Sequence, residues 1–181
     1  MRETMISHAV YFYEDDAFLI DNVAHFVKTG LEKGETVIVV ATEEHRSDLK
    51  ARLMADSVIG LAAPADARYL TLDAASTLSL FMLNDWPDDR LFLKVMGQII
   101  SSSAHEGPVR IYGEMVAVLW AQGKHKTAIR LEELWNELAK QQEFSLLCGY
   151  PASEFEQSAS GLETVCACHT QVTGRRVSKT G

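Results

Sequence analysis

From His8 to Glu44 the chain reads HAVYFYEDDAFLIDNVAHFVKTGLEKGETVIVVATEE. The order of patterns in this stretch leaves few folds open. Ala9 to Tyr13 is apolar at every position, as in a strand buried on both faces of a mostly parallel sheet. From about Ala17 to Lys33, Phe18, Leu19, Val23, Phe26, Val27 and Leu31 recur at helical spacing. Asp15 or Asp16 can cap that helix and Gly34 can end it. Thr36 to Thr42 is a second strand and reads as a central one. A strand, a helix and a second strand joined by short turns make the opening unit of an α/β domain. In a nucleotide-binding version, a Gly-rich loop with a Lys lies between the first strand and its helix, where backbone N–H groups cradle phosphate. Here that turn is Tyr13-Glu14-Asp15-Asp16. Its carboxylates suit a helix N-terminus and repel phosphate.

The rest of the chain continues the alternation. Helices are expected over about Glu44 to Ala55, Ala75 to Leu83, Pro87 to Ala104, Val116 to Gln122 and His125 to Gln142. Strands are expected at Tyr69 to Asp73, Val109 to Met115 and Phe144 to Tyr150. Ser57 to Arg68 is rich in Gly, Ala and Pro and reads as a loop. The fold class is therefore α/β: one three-layer domain with five strands in a mostly parallel central sheet and helices on both faces. At 181 residues the chain suits a single domain.

The net charge of −8 brings no basic cluster beyond Arg175-Arg176, so no direct contact with nucleic acid is expected. No apolar run approaches the ~18 residues of a membrane span, and the first residues lack the plan of a signal peptide. With three cysteines, an odd count, the expectation is reduced thiols and a cytoplasmic location.

Five motifs in order (HAVYFYEDD, the GLEKGE turn, VRIYGEMVAVLW, LEELWNEL and FSLLCGYP) resemble the MEDS domain. This is the sensory domain of methanogen and methylotroph regulators, named in part from a dichloromethane-responsive repressor. The resemblance covers residues 7–170 and leaves 171–181 as a flexible tail. It implies a degenerate RecA/KaiC-like fold without ATPase activity. It also implies an input module that senses small, hydrocarbon-type ligands for histidine kinases or transcriptional regulators. No kinase or helix-turn-helix segment is present in these 181 residues. The expected partners are thus a small-molecule ligand and a separate regulator or histidine kinase. By analogy of fold alone, self-association is expected too. No cofactor is expected.

In open α/β sheets, ligands bind beyond the carboxyl ends of the strands. That rule picks Tyr13 to Asp16, Thr42 to His45, Asp73, Gly113 to Met115 and Gly149 to Pro151. Among them Glu114 is the best single candidate, because it follows Tyr112-Gly113, where Gly allows close backbone approach. The bland alternative is that Glu114 caps the next helix or pairs with Arg130 or Lys126. Tyr11, Tyr13, Tyr112, Trp120 and Tyr150 could line an apolar pocket beside it, or simply fill the core. His8, directly before the first strand, is the one histidine that stands out; the others show no metal-protease spacing. Glu43 and Glu44 resemble the acidic pair of ATPases of this superfamily. They are read more simply as a helix-start pair, although a divergent hydrolase or phosphotransferase using Glu43, Glu44 or Glu114 with a metal stays open. A ligand-free interaction module is the third reading. The acidic face of Leu131 to Leu138 could meet a partner, or could be the solvated side of a packed helix. Cys148, Cys166, Cys168 and His169 are weak metal candidates. Structural zinc sites prefer wider cysteine spacing, and Cys-x-Cys in a strand sends both thiols to one face.

Overall fold

The computed structural model describes residues 7–58, 68–156 and 158–174. Most of the loop expected at Ser57 to Arg68 lies outside the described residues. A six-stranded sheet, parallel throughout, forms the middle layer in the order β3-β2-β6-β7-β1-β8. These strands are β1 His8–Tyr13, β2 Thr36–Ala41, β3 Tyr69–Asp73, β6 Val109–Gly113, β7 Phe144–Pro151 and β8 Gln171–Gly174. Two short strands, β4 Met82–Leu83 and β5 Trp86–Pro87, form a separate antiparallel hairpin. The helices are α1 Asp16–Glu32, α2 Glu43–Ala55, α3 Ala74–Ser79, α4 Asp89–Ser103, α5 Met115–Ala121, α6 His125–Ala139 and α7 Ala159–Ala167.

The chain follows its own local signals into this arrangement. All six residues of β2 (TVIVVA) are buried, as a strand between two parallel neighbours must be. Each such aliphatic side chain taken from water contributes roughly 1.5–3 kcal/mol. Asp15 caps α1 by accepting from the Phe18 N–H at 3.0 Å. Past its C-terminus Gly34 sits at φ +75°, where Glu35 N–H returns to the Gly30 carbonyl. Asp88 caps α4 in the same way as Asp15 caps α1.

One face of the sheet carries α1 and α2, through Leu19, Val23, Val27, Leu49 and Leu53 against Val37, Val39 and Tyr112. The other carries α3 to α7 over a larger core with Phe92, Leu131, Trp135, Phe155 and Val165. Side chains alternate along each strand. In β1, Val10 and Phe12 therefore join the larger core while Tyr11 and Tyr13 join the smaller one.

Three expectations need correction. The main sheet has six strands: Gln171–Gly174, expected in the tail, pairs along β1. Positions 175–181 lie outside the described residues. The Cys-x-Cys segment is helical, so Cys166 and Cys168 point about 200° apart around α7 and its cap, because an α-helix turns roughly 100° per residue. Finally, the helix expected over Ala75 to Leu83 stops at Ser79, and Asn84 and Asp85, both at positive φ, turn the β4–β5 hairpin.

Candidate functional site

Two groups of buried ionisable side chains lie on opposite faces of the sheet. The first is at its carboxyl edge, where β1, β2 and β6 end. Glu114 follows β6 and is only 2 % exposed. It stands at the start of α5 yet makes no cap bond with its side chain. Its Oε2 instead accepts from the Thr42 N–H at 2.9 Å. Oε1 accepts from the Tyr112 hydroxyl at 2.8 Å and lies 2.7 Å from His45 Nδ1. His45 Nε2 lies 3.4 Å from Asp16 Oδ1. A chain of charge thus runs from the first turn of α1, through α2, to the carboxylate behind β6. The Tyr13 ring stands edge-on to His45, with centroids 6.4 Å apart.

Local structure explains this assembly. Thr42 caps α2 and sets His45 in its first turn, facing the β6 end. Tyr112 turns its ring over β7 because Gly149 leaves the space: a Cβ there would sit 2.4 Å from the Tyr112 oxygen. A Cβ at Gly113 would meet nothing closer than Leu146, at 4.0 Å, so the close approach belongs to Gly149.

Glu114 sets the protonation of its neighbours. The hydrogen bond to Glu114 outweighs partial burial and pushes the His45 imidazole up from 6.5 to about 8. Burial, reinforced by the Glu114 charge, holds the Tyr112 and Tyr13 hydroxyls protonated well above the usual tyrosine range. A histidine whose folded pKa lies above its unfolded value stabilises the fold fully below the unfolded pKa, and that contribution disappears as pH rises through the folded pKa. The 6.5 to 8 interval corresponds to about 2 kcal/mol. His45 touches solvent, which screens this to about 1 kcal/mol. Unfolding free energy measured by urea titration should therefore fall between about pH 6.5 and 8.5. That fall should vanish in His45→Gln.

The second group lies under α6 and α7 at the start of β1. Glu132 of α6 is fully buried. Its Oε2 is 3.1 Å from His8 Nε2 and 3.4 Å from the Cys148 sulfur. Its Oε1 accepts from the Tyr150 hydroxyl at 2.8 Å and is 3.4 Å from His169 Nε2. The His8 and His169 rings are 4.1 Å apart. Burial alone would raise the Glu132 carboxyl, but His169 and His8 hold it below its ordinary value. Burial pushes the Cys148 thiol up and the His169 imidazole down. Two imidazoles, a thiol and a carboxylate are the donor types of a transition-metal centre.

The expected site residues divide between these places. Tyr11, Tyr13, Tyr112 and Glu114 lie on the α1–α2 face, and Tyr11 and Tyr13 stack at 6.4 Å. His8, Tyr150 and Trp120 lie on the other face. His8 and Tyr150 belong to the Glu132 group. Trp120 stacks on His125 and packs against Tyr150 and Phe155. Of the weak metal candidates, Cys148 and His169 enter the Glu132 group, whereas the Cys168 thiol donates to the Thr164 carbonyl. Glu43 and Glu44 are exposed in the first turn of α2. Arg130 pairs with Asp89, Glu133 and Glu137 and leaves Glu114 to His45. Trp135 is buried against Phe92 and Phe144, so it offers no partner face. A cleft of about 540 Å³ opens at the opposite, amino edge of the sheet, between Ile100, Val109, Gln142 and Phe144.

The strand-end rule reaches His45, but nothing in its spacing marks it out, and sequence reasoning missed Glu132. His45 stands three residues after the capping Thr42, where a first-turn side chain points back to the strand ends. Glu132 lies four residues after Ala128 and three before Trp135, on the apolar stripe of α6 and not on its wet face.

The model of the MEDS family, the methanogen/methylotroph, DcmR sensory domain, matches residues 7–170. No curated protein matches the chain.

Proposed function

The chain belongs to the MEDS family, and on that footing we infer that it is the input module of a cytoplasmic signalling pathway, without nucleotide-hydrolysing activity. A small, mostly apolar ligand with a polar end is read at the carboxyl edge of the sheet. The bound state passes to a separate regulator or histidine kinase.

One observation carries the reading: the turn where a phosphate loop would lie is already committed to the protein's own carboxylates. Asp15 takes the Phe18 amide in the first turn of α1, and Asp16 faces His45. His45, the cation beside this turn, is already paired with Asp16 and Glu114. Glu114, the residue placed to hold a metal or a water, is tied to Thr42, His45 and Tyr112. The same network suits a sensor. Its outer members, His45 and Asp16, touch solvent, and they join α1 to α2. A ligand that takes either one changes how those helices are held, which is a population shift driven by differential contacts. Tyr11, Tyr13 and Tyr112 supply the aromatic wall. Phe18, exposed in the first turn of α1, and the exposed Leu83–Trp86 pair of the β4–β5 hairpin are apolar surfaces fit for a protein partner. The three cysteines are free thiols, in keeping with a reducing compartment.

Calorimetry with ATP–Mg²⁺ tests the nucleotide half of this reading. Binding should be no tighter than about millimolar. Micromolar affinity, lost in Glu114→Ala, would put the divergent hydrolase in its place.

A further inference from the structure

The geometry points to a zinc-class divalent metal site formed by His8, Glu132, Cys148 and His169, in which the ion clamps the two ends of the fold together. It lies across the sheet from the carboxyl-edge network and does not depend on the sensing role given to Glu114. Its four donor atoms lie within 4.8 Å of one another. His8 Nε2, Glu132 Oε2 and the Cys148 sulfur are separated by 3.1, 3.4 and 3.4 Å. Zinc bonds of ~2.0–2.3 Å in a tetrahedron give edges of roughly 3.2–3.6 Å, so these three atoms already form one face. His169 Nε2, within 4.8 Å of these three atoms, would close on the ion as the fourth ligand.

The hydrogen bonds around the cluster fix which ring nitrogens face inward. Asn136 donates its amide to the Cys168 carbonyl at 2.9 Å, so its oxygen is left to accept from His8 Nδ1–H, also at 2.9 Å. His169 Nδ1–H donates to the Val165 carbonyl, which can only accept, at 2.6 Å. With the rings neutral, both Nε2 atoms present lone pairs toward Glu132, as in metal-bound histidines whose outer N–H is held by a carbonyl or amide. Among these donors the Cys148 thiol donates to Glu132 Oε2 at 3.4 Å, and a dication in place of that proton would meet the lone pairs of all four groups. His169 Nε2 is a buried nitrogen with no hydrogen-bond partner. The Tyr150 hydroxyl orients the carboxylate from behind.

Charge also balances. On binding, Cys148 releases its thiol proton to solvent, and the thiolate and the Glu132 carboxylate together cancel the dication. A mixed thiolate–imidazole–carboxylate set favours zinc over magnesium or calcium, and four protein donors leave the closed coordination typical of a structural ion. His8 opens β1, Cys148 lies in β7, Glu132 in α6 and His169 just past α7. The ion would thus tie the first strand to the segment leading into β8.

The test strips the full chain with a chelator and titrates it with Co²⁺ and Zn²⁺. About one equivalent of Co²⁺ should bind, with a near-ultraviolet thiolate-to-cobalt band and the visible bands of tetrahedral cobalt. Cys148→Ala should abolish the near-ultraviolet band, while Cys166→Ala and Cys168→Ala keep it. Asn136→Ala should weaken Zn²⁺ binding by roughly 10–100-fold. If Cys148→Ala does not fold, the wild-type spectrum and Asn136→Ala still decide. A wild-type chain that gives no thiolate band would overturn the proposal and leave the group as a buried cluster hydrogen-bonded to Glu132. A band that survives Cys148→Ala would overturn it as well.

Discussion

Glu114→Ala is expected to destabilise the protein by about 3–5 kcal/mol, the range for breaking a buried charge pair by removing one member. The loss has named parts. The Tyr112 hydroxyl is fully buried and would lose its acceptor. The Thr42 N–H would lose the oxygen 2.9 Å away. His45 would lose the partner that raises its pKa. Leaving one buried polar group unsatisfied costs roughly 1–3 kcal/mol. Glu114→Gln keeps the shape and one acceptor, so a smaller loss of about 1–2 kcal/mol is expected from the weaker, uncharged hydrogen bonds. Its stability should also become flat between about pH 6.5 and 8.5. Urea denaturation of both variants at two pH values checks the ordering. Equal losses in both would mean that the carboxylate is held by packing and not by its donors.

Gly149→Ala is the second large effect. Its Cβ would lie 2.4 Å from the Tyr112 oxygen and 3.1 Å from two ring carbons. Tyr112 has little room to withdraw, being buried and bonded to Glu114. Overpacking of this kind costs roughly 1–3 kcal/mol, and displacing the hydroxyl adds the lost hydrogen bond, for about 2–4 kcal/mol in all. Tyr112→Phe removes the oxygen that makes the worst overlap, so the double variant should be less destabilised than the sum of the singles. Additive losses would show that the glycine is needed for its backbone and not for the space it leaves.

The sheet was largely legible before any coordinates, because its inner strands are continuous apolar runs bounded by turns. The acidic turn after Tyr13 was legible too, and so was Glu114 as the residue to watch beyond the carboxyl ends. What escaped notice did so for physical reasons. β8 is exposed along its whole length and pairs on one side only, with β1, so it carries no apolar pattern. The two-residue turn at Asn84-Asp85 has the residue types of a tight hairpin, but its strands are too short to show alternation. Glu132 was taken for the wet face of α6 because charge usually lies there. Only the partners brought by β1, β7 and the end of α7 make its burial tolerable. Those partners come from separate elements, with His8 140 residues before Cys148, and no spacing rule within one segment can join them.

We propose that input is read at the carboxyl edge of the sheet, through Asp16, His45 and Glu114. Amide and imidazole NMR spectra test it most directly, recorded while the full chain is titrated with short-chain alcohols, amines and alkyl halides. Any ligand that binds should shift the His45 imidazole and the amides of Tyr13 to Phe18 and Thr42 to His45, and Glu114→Gln should weaken those shifts. Shifts confined to the amino-edge cleft around Ile100 and Phe144, with His45 unmoved, would contradict it.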